Sequence, residues 1–454
     1  MHSDTQNPQL AGRPTPYTWR RRFSVNVALM LGTRLIMLAS ALGSSIIVAR
    51  WLGAEGVGAL AVISVTVALA VQLGCAGLPS ANTYFIAQDR SKLPSVWSNA
   101  LLFGLIAGSI IAAGLIVVAR LRPALLGQVS VSLITVAALS IPFQLVTLLG
   151  QNVFLGTGQI DRFNVMDAVA QLLLLLNAIV ALALLGTGLY VLVSLNTAIA
   201  TLVCVTVAVM VSRTVRRTGE KVARPDAKVF RRMIRYGIKF HIAVIAATLT
   251  LRADLLIVNH FWGAKEAGVY ALAAQMGSLL MLLPAIIGTL LFPRVASEPD
   301  SQGGLTMKAT RHTAFIMLFA CLAAVPLSFA LPLVYGAAFR DSTIQLLILL
   351  PGIYLLGIES VMVQHFNGLG LPVAIPTFWI IALVCNLAFN LILIPVFGAT
   401  GAAAVSTFTY ALIFALVAGY FRLKTGNNLS TALLLRGDEF RELISPNRLG
   451  FFLR

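Results

Sequence analysis

The sequence predicts an all-α polytopic membrane protein of about twelve transmembrane helices, arranged as two pseudo-twofold six-helix bundles around a central cavity. Three observations carry this. Apolar types make up 58 % of the 454 residues and charged types 11 %, under half the charge fraction of an ordinary soluble domain. Runs such as 106–118 and 172–185 hold no ionisable residue, which points to a lipid environment. Finally, Trp51-Leu52-Gly53-Ala54-Glu55-Gly56-Val57-Gly58 returns 210 residues later as Phe261-Trp262-Gly263-Ala264-Lys265-Glu266-Ala267-Gly268, each copy between two apolar segments. A membrane chain that repeats half of itself commonly builds two bundles with a site between them.

The elements follow in order. Residues 1–23 form a polar N-terminal segment with Arg13, Arg20, Arg21 and Arg22. The apolar run after it is too long for a signal-peptide core and reads as the first span. Division at polar and Gly/Pro breaks gives spans at 24–49, 57–87, 96–119, 129–155, 163–185, 189–212, 236–261, 267–292, 309–334, 343–366, 373–396 and 400–421, most with the ~20 residues a bilayer needs. The first bundle is then 24–212, a basic linker 213–235, the second bundle 236–421 and a tail 422–454, in which 429–444 has an amphipathic pattern.

Charge sets the orientation. Five basic residues, Arg50, Arg120, Arg122, Lys265 and Arg340, fall on one side, and Arg34 and Arg252 fall within spans. The rest of the 33 Lys and Arg lie on the other side, which the positive-inside rule makes cytoplasmic, with both termini there. The net charge of +17 is thus a topology signal with contacts to anionic lipid and not a nucleic-acid footprint. The basic linker is expected to be a topology anchor.

The repeat recurs elsewhere. Phe154, Gly156 and Gly158 fall on Phe366, Gly368 and Gly370, and Gly186 on Gly398, at an offset of 212. An even number of spans separates the copies, so both halves face the same way. Gly53, Gly58, Gly263 and Gly268 belong to tight turning and close backbone approach, a hinge or packing role and not a binding one. Gly104 and Gly108 have the spacing of a close helix contact.

Ionisable groups inside spans are costly and mark candidate sites. Arg34 lies about ten residues into span one, ~15 Å deep. Arg252 lies in span seven, the counterpart of span one. Each needs an aqueous cavity, a counter-ion or an anionic ligand, and a guanidinium fork suits phosphate. Arg34 and Arg252 are therefore the candidate substrate-binding residues of the cavity, against a structural pairing with Asp254 or Glu359. Asp254, Glu359 and His365 are candidate gating or ion-coupling groups. Asp254 is also a candidate structural partner, and Glu359 and His365 stand six apart and do not share a helical face. His241 is expected at the membrane interface.

No enzyme chemistry is legible: no phosphate-binding G-x-x-x-x-G-K-[ST] loop, no G-x-S-x-G, no paired acids. Cys75, Cys204, Cys321 and Cys385 are far apart and without metal or redox spacing. Neither a metal nor a cofactor is expected.

Several stretches resemble a known family. Ala49-Arg50-Trp51-Leu52-Gly53, with Gly58 five residues on, is similar to the A-R-x-L-G-x4-G signature of bacterial polysaccharide flippases. Gly77-Leu78-Pro79-Ser80-Ala81 through Tyr84-Phe85-Ile86-Ala87 also resembles that family, as does Arg252-Ala253-Asp254 through Ala267-Gly268-Val269-Tyr270-Ala271-Leu272-Ala273. The resemblance is to Wzx-type O-antigen flippases of the multidrug/oligosaccharidyl-lipid/polysaccharide exporter superfamily, with a MATE-like fold. It implies a flippase that moves an undecaprenyl-pyrophosphate-linked oligosaccharide across the bacterial inner membrane by alternating access. It also implies a cationic cavity, contacts with membrane lipids, an H+ or Na+ gradient as candidate driving force, and a polysaccharide polymerase and glycosyltransferases as candidate partners. Related lipid II flippases usually have fourteen spans, against twelve expected here. The alternatives are an ion-coupled drug or small-molecule exporter of the same superfamily and a non-transporting scaffold for polysaccharide enzymes.

Overall fold

The structure is a computed structural model that describes residues 16–127, 129–217, 224–297, 300, 302–370 and 372–427. Every regular element in it is helical: α1 (Pro16–Gly74), α2 (Leu78–Gln88), α3 (Leu93–Leu121), α4 (Val131–Ala138), α5 (Ile141–Gly156), α6 (Ile160–Ala178, continued by a wide turn over Ile179–Leu184), α7 (Leu189–Arg217), α8 (Ala227–Leu280), α9 (Leu282–Ser297), α10 (Gly304–Ser328), α11 (Leu331–Tyr335), α12 (Arg340–Gly368) and α13 (Ala374–Thr425). Hydrocarbon offers no partner for a free peptide group, so the chain closes its hydrogen bonds within helices.

Among the described residues, nine helices are long and apolar enough to cross a membrane. Three of their apolar stretches run 43, 51 and 52 residues, about twice a single crossing. Each of these three holds one glycine with non-helical dihedrals: Gly53 in α1, Gly263 in α8 and Gly398 in α13. The expected boundaries near residues 53, 263 and 398 fall at these breaks. Gly53 (φ 64, ψ −171) and Gly263 (φ 81, ψ 179) occupy a region essentially reserved for glycine. The other paired glycines also match in sign: Gly158 and Gly370 have φ of 77 and 100, and Gly186 and Gly398 have φ of 60 and 59. The repeat read from the sequence is a repeat of backbone geometry.

Packing gives two groups of helices. In the first half α3 packs on α5, α1 on α6, and α5 on α2 and α7; in the second, α13 packs on α8 and α12, and α12 on α9 and α10. The halves meet where α8 packs on α1 and α2. The α3 face shows how sequence directs this. Ala100, Gly104, Gly108 and Ala112, each four residues apart, are buried, with Gly104 against Val146 and Gly108 against Pro142 of α5. Leu102, Ile106, Ile110 and Val117 on the other face are exposed, as lipid-facing residues are in a polytopic protein. Small residues allow helix backbones to approach where water supplies no drive to associate.

The connection between halves is tighter than its basic composition suggests. Helix α7 continues to Arg217 and α8 starts after Asp226, whose carboxylate accepts the Lys228 and Val229 amides at 2.7 and 3.2 Å. Asn99 of α3 brackets Asp226, donating to its carbonyl at 2.9 Å and accepting its amide at 3.0 Å. Parts of the expected linker and the amphipathic tail stretch 429–444 lie outside the described residues.

The two hinge glycines yield a stability prediction. Gly53→Ala and Gly263→Ala should each cost about 1–3 kcal/mol, the strain of a side chain held in that backbone region. Gly114→Ala, helical and with nothing within 4 Å of its added methyl group, should be neutral. Thermal unfolding of the detergent-purified protein reads the difference; equal melting of all three variants would contradict it.

Candidate functional site

The halves touch at both ends of a seam. At the end carrying Gly53 and Gly263, a Cβ placed on Gly58 would fall on the Ala264 carbonyl, and one on Gly268 would fall on the Ala54 carbonyl. The contact is reciprocal, as a pseudo-twofold axis requires. Arg50 of the A-R-x-L-G stretch fastens this end. Its Nε donates to the Val334 carbonyl at 2.7 Å and its Nη2 to the Leu333 carbonyl, oxygens that the short helix α11 leaves unpaired at its C-terminus. The Ser45 and Tyr335 hydroxyls lie 3.2 Å apart beside it.

At the opposite end the backbones of Gly77 and Gly237 are in contact, and the Tyr84 and Tyr236 rings stack with centroids 4.3 Å apart. His241 lies here too. It is 3 % exposed, with Nε2 3.3 Å from the Leu73 carbonyl and Nδ1 3.9 Å from Cys75 Sγ. The approach of Gly77 and Gly237 brings the start of α8 against the end of α1 and buries this histidine between them.

Between these ends lies a cavity of about 390 Å³, whose wall includes Ser44, Ser45, Gln171, Arg252, Gln275 and Ser278. A second cavity of about 520 Å³ lies inside the first bundle, walled by α1, α5, α6 and α7. Leu60, Ser64 and Leu174 line both, so the chambers adjoin.

Of the sequence candidates, Arg252 and Asp254 both line the seam chamber, and Arg34, Glu359 and His365 line neither chamber. Arg252 is exposed on the wall of the seam chamber. Arg34 is exposed on α1 and lines neither chamber. Asp167 of α6 lines the first-bundle chamber. Asp254 is 3 % exposed. Its Oδ1 accepts the Leu255 amide at 2.8 Å, and its Oδ2 accepts the Tyr270 hydroxyl and, at 2.9 Å, the Ser406 hydroxyl. This carboxylate thus joins the two parts of α8 on either side of Gly263 and ties both to α13.

Glu359 is 2 % exposed within the second half, and its Oε1 has no hydrogen-bond partner among the described residues. His365 is buried beside α10, with Nδ1 2.9 Å from Thr306 Oγ1 and 3.9 Å from Asp300 Oδ2, and its ring lies edge-on to Phe421. Neither lines a chamber.

Sequence reasoning missed Asp167 and the glutamines around it. Asp167 stands only four residues from the start of the span 163–185, where a carboxylate does not stand out as a group inside the membrane. The available signal was Asp167 with Gln171 four residues on, one polar stripe in an apolar helix.

Two helical halves, a seam with glycine contacts at both ends and chambers on and beside that seam define the class: a polytopic transporter fold. Solved structures agree. "Lipid II flippase MurJ, inward closed conformation" is similar with a TM-score of 0.74 at 13 % identity, covering 94 % of this chain and 95 % of that one. "Inward-facing conformation of a multidrug resistance MATE family transporter of the MOP superfamily" gives 0.72 at 14 %, covering 88 % and 98 %. A MOP superfamily transporter from Pyrococcus furiosus gives 0.61 at 14 %, covering 88 % and 94 %. At such identities the likeness is one of fold. No curated protein sequence matches the chain. The family model "Polysaccharide biosynthesis protein" matches residues 47–343, and the chain belongs to that family.

The seam geometry is testable. Gly58→Val should force Ala264 away and open the Gly53/Gly263 end. A cysteine introduced at Ser64 should then react faster with a membrane-impermeant maleimide added on that side than it does with Gly58 intact. Unchanged labelling would show that this contact does not close the chamber.

Proposed function

We propose that this protein is a flippase for a polyprenyl-pyrophosphate-linked oligosaccharide, an O-antigen, exopolysaccharide or capsule repeat unit, and works by alternating access. The carrying observation is Arg252 on the wall of the seam chamber. A guanidinium at membrane depth is stabilised by an anion, and its planar fork matches a pyrophosphate. The family match to polysaccharide biosynthesis proteins and the flippase and exporter folds among its structural relatives support the same reading. Residues 24–212 and 236–421 would act as the two bundles, rocking about Gly53, Gly58, Gly263 and Gly268.

Arg34 would meet the anion first, on the approach from the cytoplasmic side, and hand it to Arg252. Asp254 would keep the hinge of α8 coherent through Tyr270 and Ser406. Glu359 and His365 belong to the second bundle, and a proton or Na+ gradient acting there would bias its packing. The setting is the bacterial cytoplasmic membrane with both termini inside, as the basic residues direct. The chain is then a transporter and not an enzyme, and its partners are the lipid-linked glycan, membrane lipids, and the polymerase and glycosyltransferases of one pathway.

Arg252→Ala should slow appearance of the glycan at the cell surface about 10–100-fold, the loss of a charge-assisted contact worth about 1.5–3 kcal/mol, with the protein still present in the membrane. Arg252→Lys should retain part of the rate, because charge survives while the fork is lost. Normal surface glycan in both Arg252→Ala and Arg34→Ala would overturn the proposal, and drug resistance without a glycan phenotype would favour an exporter.

A further inference from the structure

The chamber inside the first bundle plays no part in the anion argument. Its polar wall includes Gln72, Gln144, Gln151, Asp167, Asn196 and Thr197, and among the described residues no Lys or Arg lines it. Its volume of about 520 Å³ suits a small organic ligand.

The hydrogen bonds fix how these amides point. Gln151 Nε2 donates to Asp167 Oδ1 at 3.0 Å. Gln144 Nε2 donates to Ser140 Oγ at 2.9 Å, and that hydroxyl already donates to the Ala137 carbonyl at 2.6 Å. Gln72 Nε2 donates to Cys75 Sγ at 3.7 Å, while the thiol donates to the Gln72 carbonyl at 3.2 Å. Asn196 accepts from Asn177 through Oδ1 at 2.8 Å. With one N–H of each glutamine engaged, each keeps its Oε1 as an acceptor and its second N–H as a donor, Asp167 Oδ2 stands as an acceptor, and the Asn196 amide nitrogen stands as a donor.

This pattern selects among ligand classes. A pyrophosphate only accepts hydrogen bonds, and here it would meet amide oxygens and the Asp167 carboxylate with no Lys or Arg to offset its charge. An apolar compound would leave each buried oxygen unpaired, at about 1–3 kcal/mol apiece. A dehydrated monovalent cation needs a few oxygens and would leave most of the cavity empty. Sugar hydroxyls both donate and accept, and sugar C–H faces fit the intervening Ile63, Val67 and Leu148.

We propose that this chamber is the glycan subsite: it receives the sugars nearest the pyrophosphate while the anion lies at Arg252, the ligand passing across Leu60, Ser64 and Leu174. The proposal rests on the flippase reading and adds where the sugar goes. It makes the first bundle the source of glycan selectivity.

The test uses the full-length protein in proteoliposomes with two probes: a polyprenyl pyrophosphate carrying a trisaccharide of N-acetylhexosamines, and the same carrier without sugar. Loss of each lipid to an external pyrophosphatase reads its movement. The native protein should move the glycosylated carrier faster. Gln144→Leu/Gln151→Leu should remove that preference, a roughly tenfold fall in the ratio of rates, while bare-carrier movement persists and shows that the protein is folded. Should the double variant be inert, Gln72→Leu alone should lower the ratio. Movement of neither probe by the native protein fails the flippase reading itself. A preserved ratio in every active variant overturns the glycan subsite alone, as does a variant that loses only a dependence on added Na+, which makes the chamber a cation site.

Discussion

Two backbones meet where the halves of this protein close on each other, and that approach conditions the rest of the structure. Gly58 lies against the Ala264 carbonyl and Gly268 against the Ala54 carbonyl. No side chain intervenes, so the seam closes at a separation that only glycine permits. The same stretches hold Gly53 and Gly263, whose dihedrals end one helical rod and begin the next. Contact and hinge are thus a few residues apart on each half, and a change at one is felt at the other. Arg50 adds a directional bond to a contact that is otherwise van der Waals, by capping α11.

Stiffness is distributed to suit that seam. Asp254, Tyr270 and Ser406 form a buried triad that spans the Gly263 break and reaches α13. A buried network with its members satisfied rigidifies what it joins. The second half is thereby held as one body on its side of the hinge. The wide turn Ile179–Leu184 at the end of α6 marks a different regime in the first half, whose interior is opened by a chamber and not closed by a network. Such wide turns often accompany functional sites.

The fold was largely legible in the sequence because its causes are local. Apolar runs demand helices, and glycine doublets at fixed offsets demand matching backbone geometry, which Gly158 with Gly370 and Gly186 with Gly398 display. The Gly104/Gly108 contact followed from spacing for the same reason. The site was less legible because its causes lie between helices. Arg34 and Arg252 were both visible as costly charges, but only packing reveals that Arg252 faces the seam while Arg34 lines neither chamber. The burial of His241 was not legible, because position along a helix says nothing about the Gly77–Gly237 approach beside it.

The repeat also explains where chemistry is to be sought. At the offset of 210 that superposes the hinge motifs, Arg34 falls on Val244, Arg252 on Leu42 and Asp254 on Ser44; at 212, Asp167 falls on Trp379. The groups that bend and close the molecule obey the repeat, and the ionisable groups break it. A twofold-symmetric scaffold needs matched hinges to move as one, since unequal hinges would leave one bundle lagging. A ligand with a charged end and a neutral, hydroxylated end is not symmetric, and a site with two equivalent halves would hold either end equally badly. Loss of symmetry in the polar residues, with its retention in the glycines, is what the proposed function asks of a symmetric scaffold with an asymmetric cargo.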